Sequence, residues 1–198
     1  STLLAGVEIP MSSKLEEYYL AEGFEKFSVR RPDLHWTGNG TFASENDEMP
    51  GGLSEIAHVD FCYGVNHDRW QRCFEWLVSK GPVLFVVSHE WSKCYIPELT
   101  WLVAHMNHRG YSAFLATTED LQELEIHGSE VAWRKTRIGT VWRQFPIFET
   151  AGKTAELVKA ATIGAVRMVP EFAHFGNKTW FSVFRTHQQF FRESLRDS

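Results

Sequence analysis

No stretch of this 198-residue chain reaches the roughly 18 consecutive apolar residues that a membrane-spanning helix needs. The longest apolar run, 82–87, has the length of a strand. Cysteine is scarce. Cys62, Cys73 and Cys94 form no CxxC pair, and their odd number excludes a disulfide framework. They read as free thiols in a reducing compartment, which implies a cytoplasmic protein with no membrane partner. Basic charge is not in excess either. Lys and Arg number 20 against 25 Asp and Glu, a formal charge of -5, so the electrostatic footprint of a nucleic-acid binder is missing. What remains is ordinary globular material, 43% hydrophobic and 23% charged, of a length that suits one domain or one domain with an arm. The sequence begins at Ser1 rather than Met, as a processed chain or a fragment does.

Patterning divides the chain near residue 52. Ser12 or Ser13 with Glu16 forms a capping signal for a helix that stops at Gly23. Asp33 to Thr37, the turn Gly38-Asn39-Gly40, and Thr41 to Asn46 spell a hairpin. Residues 1–52 are thus a helix-and-hairpin arm, and 53–198 the main domain. In the latter, Leu53 to Tyr63 and His67 to Lys80 read as helices. Trp70, Cys73, Phe74 and Leu77 recur at helical spacing in the second. Val83 to Val87 is apolar throughout, as strands buried on both faces are. A helix from about Ile96 to Arg109 and a strand from Ser112 to Thr117 complete a βαβ unit. There follow a short helix near Glu119 to Gln122, a hairpin from Leu124 to Trp133, and a strand from Gly139 to Phe145. A helix from Thr154 to Thr162, a strand from Ala165 to Val169 and an aromatic helix from Lys178 to Leu195 end the pattern. The alternation predicts an α/β fold, a Rossmann-like, mostly parallel sheet with helices on both faces.

Ligands of open α/β sheets bind beyond the carboxyl ends of the strands. That rule singles out Ser88-His89-Glu90-Trp91, Thr117-Thr118, Arg143-Gln144, and the segment with Glu171, His174, Asn177 and Lys178. Neither GxGxxG nor GxxxxGK[ST] follows the first strand, so the common phosphate cradles are absent. Ser88 and His89 lack a GxSxG elbow and read as a polar loop at a strand end. His105 and His108 are one helical turn apart without a third metal ligand, and read as solvated or capping histidines. No metal-ligating set and no catalytic triad is expected. Glu45-Asn46-Asp47-Glu48 is either a solvated acidic turn or a site for an amine or Mg²⁺, with Gly51 and Gly52 allowing close backbone approach. Most of the eight Trp and fifteen Phe fall at core spacing.

Three segments carry a family resemblance. Arg31-Pro32-Asp33, the hairpin, and Glu45-Asn46-Asp47 with Pro50-Gly51-Gly52 resemble the opening of the glutathionylspermidine synthase-like, circularly permuted ATP-grasp proteins, in their N-terminal pre-ATP-grasp domain. Val141-Trp142-Arg143-Gln144-Phe145-Pro146 resembles that family's Trp-Arg and Phe-Pro strand. Val169-Pro170 followed by Phe175-Gly176-Asn177-Lys178-Thr179-Trp180 resembles the segment before its nucleotide domain. The order holds over most of residues 30–185. The resemblance implies a carboxylate–amine ligase that uses ATP and Mg²⁺, with this domain on the substrate side. It points to Arg31 or Arg143 for a carboxylate, and to Glu45 and Asp47 for an amine. Gly51, Gly52 and Ser88 complete the substrate surface, and Asn177 and Lys178 face the nucleotide lobe.

The sequence ends at Ser198, where the nucleotide lobes of that family begin. The expectation is therefore a substrate-side domain for a small-molecule or peptide-like substrate, not catalytic by itself and completed by an ATP-grasp lobe. The alternative is a stand-alone, non-catalytic binding or interaction module of the same fold, with its aromatic C-terminal helix packed or serving as a dimer face. A third reading is a small-molecule enzyme that uses Ser88 and His89.

Overall fold

The structure is a computed structural model that describes residues 31–37, 40–47, 51–146 and 150–170. They fall in two compact units. One comprises Ser1–Glu48 with Phe172–Ser198, the other Met49–Glu171. The expected N-terminal and C-terminal helices, with Asn177 and Lys178, lie outside the described residues.

In the first unit, β1 (Arg31–Thr37) pairs antiparallel with β2 (Gly40–Asp47). The Gly38-Asn39-Gly40 signal thus marks the hairpin correctly, and the register places Arg31 opposite Asp47 and Asp33 opposite Glu45. These pairs lie at the open end of the ribbon, away from its turn. A register shift between Asp33 and Leu34 follows.

The second unit is an α/β domain. Its helices α1 (Leu53–Tyr63) and α2 (His67–Leu77) precede β3 (Val83–Val87). Then come α3 (Ser92–His108), β4 (Ala113–Thr117) and a 3-10 turn over Asp120–Glu123. A small antiparallel sheet follows, from β5 (Leu124–His127), β6 (Glu130–Trp133) and β7 (Thr136–Arg137). Last are β8 (Thr140–Gln144), α4 (Lys153–Thr162) and β9 (Arg167–Val169).

Four strands form a parallel sheet in the order β4-β3-β8-β9. All five residues of β3 and all five of β8 are buried, so both faces of these central strands are covered. α3 packs on β3 and β4, and α4 on β9 and the small sheet. Fully burying one Val or Leu side chain stabilises by about 1.5–3 kcal/mol, so the fully buried Val83–Val87 run is a large contribution to this core.

Several boundaries differ from expectation for identifiable reasons. α2 stops at Leu77 rather than Lys80 because Arg167, on β9, takes its last carbonyls. The Arg167 guanidinium donates to Trp76 O at 2.5 Å, Leu77 O at 2.9 Å, Thr140 Oγ1 at 2.9 Å and Ser79 Oγ at 3.3 Å, and stacks on the Trp76 ring at 4.3 Å. α3 begins at Ser92, four residues before Ile96, and carries Pro97 inside. Its first turn is closed by Cys94 and Tyr95, whose N–H groups both reach Trp91 O. β7 is a strand the pattern did not announce. Its turn uses Arg134 and Lys135 at φ 47 and 66, where Asn-Gly is the usual signal. At the amino edge of the parallel sheet Gly139 is obligatory, because a Cβ there would stand 2.1 Å from Lys80 O.

α1 ends in the left-handed cap of a Schellman motif. Gly64 has φ 68, and the Val65 N–H reaches Asp60 O. The Asp60 carboxylate then accepts from Trp70 Nε1 at 2.8 Å and Asn66 Nδ2 at 3.1 Å, fixing α1 to α2.

Candidate functional site

β3 leads to β4 on one side and has β8 on the other. The strand order therefore reverses at β3, and the crevice between the carboxyl ends of β3 and β8 is the position where such sheets bind ligands. Ser88-His89 leave β3 there, Thr117 to Asp120 leave β4, and Gln144-Phe145 leave β8.

Ser88 and Arg143 are brought together. Arg143 is paired with Val86 in the register, and the Ser88 N–H donates to Gln144 O at 2.8 Å. Both residues are fully buried. Arg143 is turned inward, with Nε donating to Pro170 O at 3.0 Å and Nη1 to Phe145 O at 2.8 Å. The guanidinium thus joins the exits of β8 and β9, and such charge-assisted bonds are roughly twice as strong as neutral ones. The Gln144 side chain, also buried, accepts from Trp142 Nε1 at 3.3 Å.

The exposed part of the edge lies between β3 and β4. The His89 N–H donates to Thr118 Oγ1 at 3.0 Å, while the Thr118 N–H donates to Val87 O at 2.8 Å. These bonds fix the two loops to each other. His89 Nδ1 stands 3.1 Å from Glu119 Oε2, with side chains 58% and 69% exposed. Next to them Asp120 Oδ2 accepts from the Thr117 N–H at 2.8 Å and from Thr117 Oγ1 at 2.7 Å. The backbone bond first, and the hydroxyl bond second, hold the Asp120 carboxyl below its ordinary range. Glu119 and Asp120 escaped the sequence reading, which stopped at Thr117-Thr118. The strand-end rule reaches them two residues further on.

Gly51 and Gly52 serve α1 and α3. A Cβ on Gly51 would meet Tyr95 Cε1 at 2.9 Å, so it is the Tyr95 ring that makes the close approach. Gly52, at φ 73, introduces α1. The Ser54 hydroxyl donates to the Glu98 carbonyl. Burial, and then Glu55, push the Glu98 carboxyl up, while a bond from the Gly52 backbone opposes them. Arg31, Glu45 and Asp47 share the open end of the hairpin and belong to the other unit.

His105 is half-buried in an aromatic cluster rather than free in solvent. It stacks on Trp101 at 5.0 Å and lies 4.2 Å from the Phe61 ring, with Nε2 buried and without a hydrogen-bond partner. Burial first, then Arg109, His108, His58 and His67, depress its basicity. Phe74 and Tyr111 extend this cluster, and Arg109 stacks on Phe61 at 4.7 Å. Cys73 sits half-buried, and burial pushes its thiol up. All three cysteines are free.

Among the described residues no three His, Cys, Asp or Glu side chains are grouped to hold a metal ion. No helix among them is long and apolar enough to cross a membrane. No protein-family model matches the chain, and no curated protein matches it.

Proposed function

We propose that this chain is the substrate-side domain of an ATP-dependent carboxylate–amine ligase, resembling the pre-ATP-grasp domain of the glutathionylspermidine synthase-like proteins. One observation carries the reading. The Val141-Trp142-Arg143-Gln144-Phe145-Pro146 segment, on which the resemblance leans, is the strand β8 that borders the switch point of a parallel sheet. Substrate sits beyond the carboxyl ends of β3 and β8, where Ser88, His89 and Gln144 leave them. Ser88, Gln144 and Arg143 form the frame beneath it. In this reading Arg31, Glu45, Asp47, Gly51 and Gly52 belong to the substrate side, and Asn177 and Lys178 face the nucleotide lobe. In this reading ATP and Mg²⁺ are held by an ATP-grasp lobe, and this domain supplies the substrate side.

The test is amide shift mapping on the ¹⁵N-labelled chain with glutathione and with spermidine, the two substrates in the family's name. Shifts at Ser88, His89, Thr118 and Gln144 are expected. Their absence up to millimolar ligand sinks the reading. A second reading, a non-catalytic interaction module, is favoured by one feature. α1 exposes Ile56, Val59 and Tyr63 at helical spacing, with Tyr63 79% accessible. In that case neither substrate moves the strand-end resonances.

A further inference from the structure

The ring of His105 lies in a layer that the ligase reading does not use, where α1 meets α3 and the start of α2. We propose that α1 is an acid-released helix: proton uptake at His105 opens its contact with α3 while the parallel sheet stays closed. The inference is independent of the ligase reading.

α1 is lightly held. Of its eleven residues only Ser54 and Ala57 are buried, whereas every residue of β3 and β8 is. At its contact with α3 the Ser54 hydroxyl donates to the Glu98 carbonyl, and His58 lies on Trp101 at 4.6 Å. Phe61 lies against His105 at 4.2 Å and Trp101 at 6.3 Å. An element with so few buried groups opens more readily than a fully covered sheet.

His105 is the group at the centre of this contact. Its Nε2 is buried and has no hydrogen-bond partner. The neutral ring can keep its single N–H on Nδ1 and leave Nε2 bare against the rings. The imidazolium carries N–H on both nitrogens, and the second finds no acceptor. The surrounding charges give no relief. From α3 the ring faces Arg109 and His108, from α1 His58 and from α2 His67, with no carboxylate among them. Arg109 already stands over the Phe61 ring at 4.7 Å, so a cation at His105 meets another. Asp60, beside Phe61, is held by Trp70 and Asn66. Once α1 opens, water solvates the imidazolium, so protonation favours the open form. The proton comes from solvent, and no covalent bond other than that N–H changes. Carboxylates meet at the other end of the contact, where burial and then Glu55 push the Glu98 carboxyl up. Proton uptake at Glu98 therefore favours the closed form and opposes the release.

The experiment is amide hydrogen exchange by NMR on the whole chain at about pH 7.5 and about pH 5.5, read as protection factors so that the intrinsic pH dependence of exchange cancels. Protection over residues 57–63 is expected to fall several-fold at the lower pH. The ceiling is about tenfold, set by an open-state histidine pKa of about 6.5. Protection over Val83–Val87 and Thr140–Gln144 is expected to hold. The fall should track the titration of the His105 ring, followed through its ¹H–¹⁵N ring resonances in the same samples. His105→Phe keeps an aromatic ring in place and abolishes the fall, whereas Glu98→Gln leaves it equal or larger. Unchanged protection of α1 overturns the proposal. So does an equal loss in α1 and β3, which is general destabilisation. A fall that survives in His105→Phe, or that has its midpoint away from the His105 titration, overturns it too. If His105→Phe does not fold, the ring titration in the unmodified chain decides alone.

Discussion

The two edges of the parallel sheet are finished in opposite ways. At the amino edge, backbone meets backbone. Gly139 lies against Lys80 and Gly81, Pro82 O takes the N–H groups of Gly139 and Thr140, and the Arg167 fork closes α2 against Thr140. At the carboxyl edge, buried and exposed side chains add to the backbone bonds from Ser88 to Gln144 and from Thr118 to Val87. Arg143 is sealed between strand exits, and beyond it His89, Glu119 and Asp120 face water. One edge leaves no space for change. The other keeps exposed, titratable groups on a fixed frame, as a binding edge requires.

The contrast is broken most severely at Gly139. Gly139→Val drives a side chain into the Lys80 carbonyl, and a loss of about 4 kcal/mol or more is expected in urea unfolding. Arg143→Met comes next. It leaves the Phe145 and Pro170 carbonyls without these donors in a buried setting, at a cost of about 3 kcal/mol. A fall that large at the carboxyl edge would mark Arg143 as frame. A stable Arg143→Met chain that fails to bind glutathione would instead return it to the ligand. Arg167→Leu uncaps α2 and costs about 2 kcal/mol, visible as earlier hydrogen exchange at Trp76 and Leu77.

Between pH 8 and 5, acidification is expected to act through His105, because the Asp120 carboxyl at the carboxyl edge is held below the ordinary carboxylate range and gives up its stabilisation only at lower pH. The folded-state pKa of His105 is lowered, so the unfolded chain binds the proton more tightly. Stability is therefore greatest above the ordinary histidine pKa of about 6.5 and falls as pH drops through and below it. His105→Phe flattens this part of the profile in thermal melts from pH 8 to 5. The smallest effect is at Glu119. Glu119→Gln changes stability by no more than about 0.5 kcal/mol, and a larger change would deny the carboxyl edge its independence from the fold.

The βαβ core was legible because Val83 to Val87 is apolar without interruption and Gly-Pro precedes it. Strand type and length follow from such runs. Strand order does not, because nothing in Val141 or Val83 says which neighbours it will take, and the switch point is visible only once β8 is seen beside β3. The end of α2 was hidden for a similar reason, since the group that stops it lies on β9. His105 misled because a histidine on a helix reads as polar, while its fate depends on Trp101 and Phe61. Arg143 was singled out by its charge, and what the sequence could not show is that two carbonyls of the chain occupy its Nε and Nη1.

The Arg167 fork has a consequence for the order of events at the ribosome. The carbonyls it serves lie 91 and 90 residues earlier in the chain. While β3, α3 and β4 emerge, the last turn of α2 waits open. A nascent chain arrested anywhere short of Arg167 carries that unfinished turn, and it is completed only when β9 has been delivered and docked. The last turn of α2 is thus among the last parts of this domain to be secured, although α1 and α2 are early in the chain.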